Sequence, residues 1–424
     1  MAWIMTVLPI VLLLLGFPIF IILLATATVL LVGFMNVPLT QLHLVMFGSI
    51  DKFALLSVPF FIFAGDLMGR GGLSKRLVEW VLSIMGRTQG SLALTAVGAN
   101  TVFGAISGSS AAAVAAIGQL LYGPLREKGY DERFTSGLLT SSGAIALIIP
   151  PSIIMILYGY SAEQSITHLF IAGILPGMFI ALLMGAYIYV FAARRGIREG
   201  EKFSWRRLGR TTRAAGWALG APVIVLGGMY AGIVSPTEAA GIACVYAIVI
   251  TRYVYRDISW KGIWDVAISS MYLTSQVLII VAAAGVFSWL LTVSGVPQSL
   301  VQFIESLEVE PWMVLVVINL LLLAVGCLLD PGSAILVLTP LLAPIAKAIG
   351  VDLVHFGIIM TVNLSIGMFT PPFGINIFVA QAVFRTPLSV LYPGLAPFIG
   401  VNILALVVIT YVPQLSLVLT RFVQ

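Results

Sequence analysis

Charge is what this 424-residue sequence has least of: 17 acidic and 22 basic residues make up 9% of a chain that is 60% hydrophobic. A soluble domain carries about 25% charged residues, so a water-surrounded globule is excluded. The chain reads as a polytopic membrane protein, with length for about a dozen spanning or half-spanning helices at ~20 residues each. Cysteine is nearly absent. Cys244 and Cys327 both lie in apolar runs, which excludes a disulfide framework and a thiolate metal site. His43, His168 and His355 share no motif and there is no HExxH, so metal-dependent catalysis lacks its usual ligands. No GxxxxGK[ST] occurs, so the chain does not itself hydrolyse a nucleotide as a P-loop protein. The net charge of +5 is not a nucleic-acid footprint, because the cations fall at loops and helix ends, as the positive-inside rule requires. No cationic segment precedes the first apolar stretch, Trp3 to Val32, which is too long for a cleaved signal peptide. It reads as one span kinked at Pro18.

What is present, in the middle of apolar runs, is backbone-breaking residues. In "TSSGAIALIIPPSIIMILYG" (140–159) the Pro150-Pro151 pair must end a helix, since proline lacks an N–H and clashes with the preceding turn. Lipid cannot satisfy the freed carbonyls and amides, so such a break is tolerated only where it lines a cavity. The pair recurs 221 residues later as Pro371-Pro372 in "NLSIGMFTPPFGINIFVA". At that offset Gly129 meets Gly350, Asp131 meets Asp352, Gly173 meets Gly394 and Pro176 meets Pro397. Residues 113–178 show 13 identities in 66 positions, against roughly five by chance in so biased a composition. An internal duplication is the reading.

The halves carry opposite charge. Residues 70–90 hold Arg70, Lys75, Arg76 and Arg87, whereas residues 291–311 hold Glu305, Glu308 and Glu310 and no Lys or Arg. Equivalent segments of opposite charge belong on opposite sides of a membrane, so the repeats are expected to be inverted. The run "RRGIREGEKFSWRRLGRTTR" (194–213), with eight Arg/Lys and two Glu, divides the chain into a first repeat (1–193), a cytoplasmic basic linker (194–213) and a second repeat (214–424). From the linker the chain should cross at about 216–233, turn at "SPTE", return by 251 and cross outward over 264–290. Inverted repeats that each carry Gly/Pro-broken short apolar segments are a signature of secondary transporters. The expected fold class is an all-α polytopic membrane protein of two inverted-topology repeats, with re-entrant helical hairpins and broken helices.

A second break in the first half is "FGAISGSSAAAVAAIG" (103–118), where Gly104, Ser107, Gly108, Ser109 and Ser110 precede an Ala-rich helix. Hydroxyls and loop carbonyls are hard oxygen ligands for Na⁺, and a helix N-terminus offers amides to a carboxylate. The plain alternatives are a small-residue packing surface or a Ser N-cap. Its counterpart is "AVGCLLDPGSAILVLTP" (324–340). Asp330 before Pro331 suits an N-cap with a first-turn proline. A carboxylate in so apolar a run is equally a functional candidate. Thr370 offers a hydroxyl and a carbonyl at the second double proline. Ser109, Ser110, Ser142, Ser152, Asn363 and Asn376, at or beside the breaks, are candidates to hold a substrate carboxylate. "SPTEAAG" (235–241) fits a capping box, and Asp66 and Arg70 sit one turn apart and can simply pair. A Ser nucleophile in "SGSS" would make an intramembrane enzyme, but no His or Lys lies where it could serve as base.

Six stretches in order, "SVPFFIFAGDLMGRGGLSKRL", "ISGSSAAAVAAIG", "TSSGAIALIIPPSIIMILYG", "LFIAGILPG", "GGMYAGIVSPTEAAGIACVYA" and "HFGIIMTVNLSIGMFTPPFGINIFVA", strongly resemble the large, DctM-like membrane subunit of tripartite ATP-independent periplasmic (TRAP) transporters. The similarity runs over essentially the whole chain. It implies no enzyme but a Na⁺-coupled importer of organic acids, such as dicarboxylates, keto acids, sugar acids or sialic acids, in the bacterial inner membrane. The partners implied are a small four-helix membrane subunit on a separate chain and a periplasmic substrate-binding protein. The architecture implied is that of an elevator, as in the ion-transporter superfamily, with a domain bearing two hairpins sliding along a scaffold. Carried over by motif, one Na⁺ site would use Gly104 and the turn around Ser107 with carbonyls near Ala146, Ile149 and Pro150. The other would use Gly326, Asp330, Gly367, Thr370 and the turn at Phe373. Ala146 stands where many relatives have Gly. A stand-alone organic-anion transporter or channel on the same repeat is the alternative.

Overall fold

The computed structural model describes residues 2–70 and 72–422. The first half runs through α1 (Ala2–Leu14), α2 (Ile19–Gly33), α3 (Leu39–Ile50), α4 (Ser57–Arg70) and α5 (Leu73–Met85). A hairpin follows, α6 (Ser91–Ser107) and α7 (Ser110–Glu127), then a broken pair, α8 (Glu132–Ser142) and α9 (Ile153–Ser161), and the long α10 (Ile166–Arg194). The second half opens with α11 (Trp205–Tyr230), α12 (Pro236–Val249), α13 (Trp260–Val293) and α14 (Val296–Ser306). It then repeats the pattern: hairpin α15 (Pro311–Gly326) and α16 (Pro331–Ala348), broken pair α17 (Leu353–Gly367) and α18 (Ile375–Phe384), and long α19 (Leu388–Tyr411). No strand occurs among the described residues, only a bridge between Gln89 and Arg198. Among the described residues six helices are long and apolar enough to cross a membrane, including α10, α13, α16 and α19. The fold is all-α and multi-pass.

Local chemistry explains why the two halves break alike. Gly129 (φ +90°) and Gly350 (φ +79°) end α7 and α16 in the left-handed region that favours glycine. Two residues on, Asp131 accepts the Phe134 N–H at 2.7 Å and Asp352 accepts the Val354 and His355 N–H groups at 2.8 and 3.0 Å. Each aspartate thereby satisfies donors that a helix start leaves free. Burial alone acts upward on the Asp131 carboxyl, but the Phe134 N–H and the Arg195 guanidinium together hold it below the ordinary carboxylate value. Both double prolines interrupt their helices and both have cis peptide bonds. Packing is exchanged between the halves: α7 lies on α18 as α16 lies on α9, and α8 crosses α19 as α17 crosses α10.

Two expectations are corrected. Trp3–Val32 is not one kinked span but two helices. Gly16 (φ +80°) and Pro18, which caps α2, stop the chain in quick succession. At 13 and 15 residues, α1 and α2 reach only ~20 Å each at 1.5 Å per residue, short of the ~30 Å hydrocarbon core. The basic linker is not loop throughout either. α11 begins at Trp205, so Arg206, Arg207, Arg210 and Arg213 ride a helix whose apolar part begins only beyond them.

The basic segments lie together. Arg76 pairs with Asp257 at 2.6 Å, Trp80 donates to Thr212 at 3.1 Å, and Arg198 donates to the Arg87 carbonyl at 3.3 Å. Residues 72–90, the linker and the turn after α12 therefore share one end of the molecule. The "SPTE" turn forms the expected box: the Glu238 N–H donates to Ser235 Oγ at 3.3 Å, and Glu238 Oε2 accepts the Ser235 N–H at 2.8 Å. Asp66 and Arg70 pair at 3.2 Å.

Candidate functional site

The hairpin α6–α7 reverses over three residues. α6 ends at Ser107, Gly108 takes φ +58°, and Ser109 caps α7 by accepting the Ala112 N–H at 3.4 Å. Ser107 Oγ accepts the Ser109 N–H at 3.2 Å. The tip therefore sets carbonyls from the end of α6 beside amides from the start of α7, partial charges of opposite sign. In the second hairpin Asp330 caps α16, accepting the Ser333 N–H at 2.9 Å and the Ser333 hydroxyl at 2.5 Å, with Pro331 in the first turn. Ser109 and Asp330 are 221 residues apart and do the same job. The capping reading of Asp330 holds, and the same side chain also faces the cavity described below.

Each tip is lodged against a break in its own repeat. A Cβ at Gly104 would lie 2.6 Å from the Ala146 Cα, and one at Gly108 would lie 2.6 Å from the Pro151 carbonyl oxygen. In the second half a Cβ at Gly367 would lie 2.4 Å from the Gly326 carbonyl carbon and oxygen. Residue 367 is the offset partner of 146, and Gly326 lies one position beyond the offset partner of Gly104, so the Gly326–Gly367 contact is the counterpart of Gly104–Ala146 with a one-residue shift. Of the residues assigned to the two Na⁺ sites, Gly104 thus lies against Ala146 and Gly326 against Gly367. The breaks differ in exposure. Ala146, Ile149 and Pro150 are buried, whereas Phe373 is 56% exposed. Thr370 spends its hydroxyl on the Ile366 carbonyl at 2.8 Å.

Both tips open into one cavity of about 680 Å³. Ser107 and Ser109 line it from the first hairpin, Asp330 and Ser333 from the second, and α2, α4 and α13 close it with Phe20, Asp66 and Gln276. Of the six candidates for the substrate, only Ser109 reaches this wall. The others are buried, Ser152 in a local bond within the break and the rest in bonds between helices. Ser142 accepts from Asn100 at 2.8 Å, and its offset partner Asn363 donates to Asn319 at 2.7 Å. Asn376 donates to Ser110 at 2.6 Å across the two halves, and Ser152 donates to the Leu147 carbonyl at 2.6 Å. The Oδ1 atoms of Asn363 and Asn376 are buried without a hydrogen-bond partner. Sequence reasoning missed Gln276 and Ser333, and it read Asp66 only as the partner of Arg70. An amide in the middle of α13 was a signal available by the rule that polar groups inside a span are costly.

Residues 6–415 match the family described as tripartite ATP-independent periplasmic transporter, DctM component. The chain is 41% identical over 413 residues to the ectoine/5-hydroxyectoine TRAP transporter large permease protein of Ruegeria pomeroyi, covering 97% of this chain and 96% of that one. It is 37% identical over 382 residues to the C4-dicarboxylate TRAP transporter large permease protein of Pseudomonas aeruginosa, covering 90% of each. Its fold is similar to the crystal structure of the Alcanivorax borkumensis YdaH transporter, with a TM-score of 0.68 at 15% identity, over 96% of this chain and 100% of that one. These relatives are transport permeases, not enzymes. With a family match over nearly its full length and two capped hairpins meeting at one cavity, the chain belongs to the DctM family of TRAP transporter large permease components.

Proposed function

We propose that this permease carries out Na⁺-coupled uptake of an organic acid across the bacterial inner membrane. A periplasmic substrate-binding protein delivers the substrate, and a small four-helix subunit accompanies the chain in the bilayer. The observation that carries the reading is the duplicated lodging of a hairpin tip against a backbone break. Two such junctions give carbonyl and hydroxyl oxygens for a hard cation, and helix starts at the same depth give amides for a carboxylate. The relatives named for dicarboxylate and ectoine transport support a small acidic or zwitterionic substrate. The large cavity and the packing exchanged between halves support two inverted repeats with a hairpin-bearing domain that moves against α2, α4 and α13, as in an elevator.

Ser107→Ala and Thr370→Ala test the cation assignment. Each removes one oxygen from its junction while leaving helix packing in place. Each should raise the Na⁺ concentration for half-maximal uptake about tenfold, the scale of a lost charge-assisted contact of ~1.5 kcal/mol. Unchanged Na⁺ dependence in both would remove these turns from the proposed sites.

Orientation has its own test. With Cys244 and Cys327 replaced, a cysteine at Arg87 should be shielded from a membrane-impermeant thiol reagent in intact cells, and one at Glu305 should react. Glu305 is preferable to Glu308, whose φ of +48° would strain a cysteine. Labelling of both positions from outside would eliminate the inversion.

A further inference from the structure

We propose that the crevice between α5, α6 and α10 is a binding site for one anionic phospholipid, with the phosphate held by Arg87, Arg198 and Lys202 and an acyl chain in the groove beyond. Two features meet there. At the basic end of the molecule a cavity of about 530 Å³ is lined by Arg87, Arg198 and Lys202, and it adjoins one of about 570 Å³ that Lys128 also lines. Next to it an apolar groove of about 630 Å³ runs between α5, α6 and α10. Met85 and Tyr189 line both the basic cavity and the groove, so the two are continuous.

Charge complementarity singles out the occupant. Among the described residues Arg70, Arg76, Arg195 and Arg207 form ion pairs, whereas Arg87, Lys128, Arg198 and Lys202 form none. The nearby carboxylate, Glu199, is 8% exposed, and its Oε1 accepts from the Tyr130 hydroxyl at 2.6 Å and the Leu92 N–H at 3.4 Å. Four cations against one carboxylate leave the pocket positive. The groove walls are open to the surroundings, with Leu182 69% and Val190 47% exposed. Around a multi-pass protein those surroundings are acyl chains. Basic pockets between membrane helices on the cytoplasmic side are suited to anionic head groups. Here the basic pocket and the apolar groove share residues.

The test uses the purified full-length chain in detergent, with native mass spectrometry counting bound phosphatidylglycerol or phosphatidylcholine at equal concentration. Phosphatidylglycerol should bind about tenfold more tightly. The double substitution R87Q/K202Q should erase that preference, the scale expected for two cations at a membrane surface. R210Q/R213Q, on the exposed basic start of α11, should keep it. Gly185→Leu, where a Cβ meets only Leu94 at 3.6 Å, should fill the groove and lower binding of both lipids with the charges intact. An unchanged preference in R87Q/K202Q, an equal loss in R210Q/R213Q, or displacement of the lipid by inorganic phosphate would each overturn the site.

Discussion

Proteoliposomes containing the permease with the proposed small subunit and binding protein should lose essentially all concentrative uptake when choline replaces Na⁺ on both sides. The chain holds no P-loop motif, and in the proposed mechanism accumulation is driven by an ion gradient. Each net positive charge moved inward down 100 mV is worth ~2.3 kcal/mol, which is about fiftyfold in accumulation. Removing the cation should therefore reduce internal substrate at least that far, to the equilibrium level. The two junctions, Gly104 with Ala146 and Gly326 with Gly367, supply backbone oxygen at two places, so the Na⁺ dependence should be sigmoidal, with more than one ion per cycle. Undiminished uptake in choline would refute coupling at these junctions. Uptake that persists without the binding protein would instead favour a stand-alone carrier.

Gly394→Val should be the most damaging single substitution to the fold. A Cβ at Gly394 would lie 2.1 Å from the Arg133 carbonyl oxygen, and one at Gly137 would lie 2.1 Å from the Gly394 carbonyl oxygen. Here α8 and α19 touch backbone to backbone, and the contact joins the two halves. No flexible side chain can yield, so the helices themselves must separate. Overpacking of a close-packed interior costs roughly 3 kcal/mol in such cases. That should appear as a large drop in the thermal midpoint in a fixed detergent, or as loss of the monodisperse species. Gly216→Ala is the matched control. Nothing lies within 4 Å of a Cβ there, and the change should be neutral or slightly stabilising, because alanine favours a helix interior by ~1 kcal/mol over glycine. If both variants unfold alike, the close approach at Gly394 is not what holds α8 to α19.

The glycine identity between positions 173 and 394 acquires its physical meaning only in three dimensions. A Cβ at Gly173 would lie 2.7 Å from the Ile148 carbonyl oxygen, so Gly173 sets α10 on the backbone of the break between α8 and α9, as Gly394 sets α19 on the backbone of α8. The offset alone indicated a shared backbone shape. It did not say what came close.

What the sequence determined by itself is everything that acts within a few residues. Scarcity of charge placed the chain in a bilayer. The double prolines kept the backbone broken between α8 and α9 and between α17 and α18, Gly129-Tyr130-Asp131 and Gly350-Val351-Asp352 closed one helix and capped the next, and Ser235 with Glu238 built its box. These are steric and hydrogen-bonding rules of short range, so they are legible along the chain. Tertiary structure decided which surfaces meet. It carried half of the basic linker onto α11 and set each tip against a break some 40 residues away. It also sorted chemically similar side chains by environment. Ser109 faces the cavity, whereas Ser110, Ser142 and Asn376 are consumed in tying helices together. A hydroxyl or amide beside a break has the same local sequence signature in either role. Only the packing of distant helices settles whether its partner is another side chain or the open cavity.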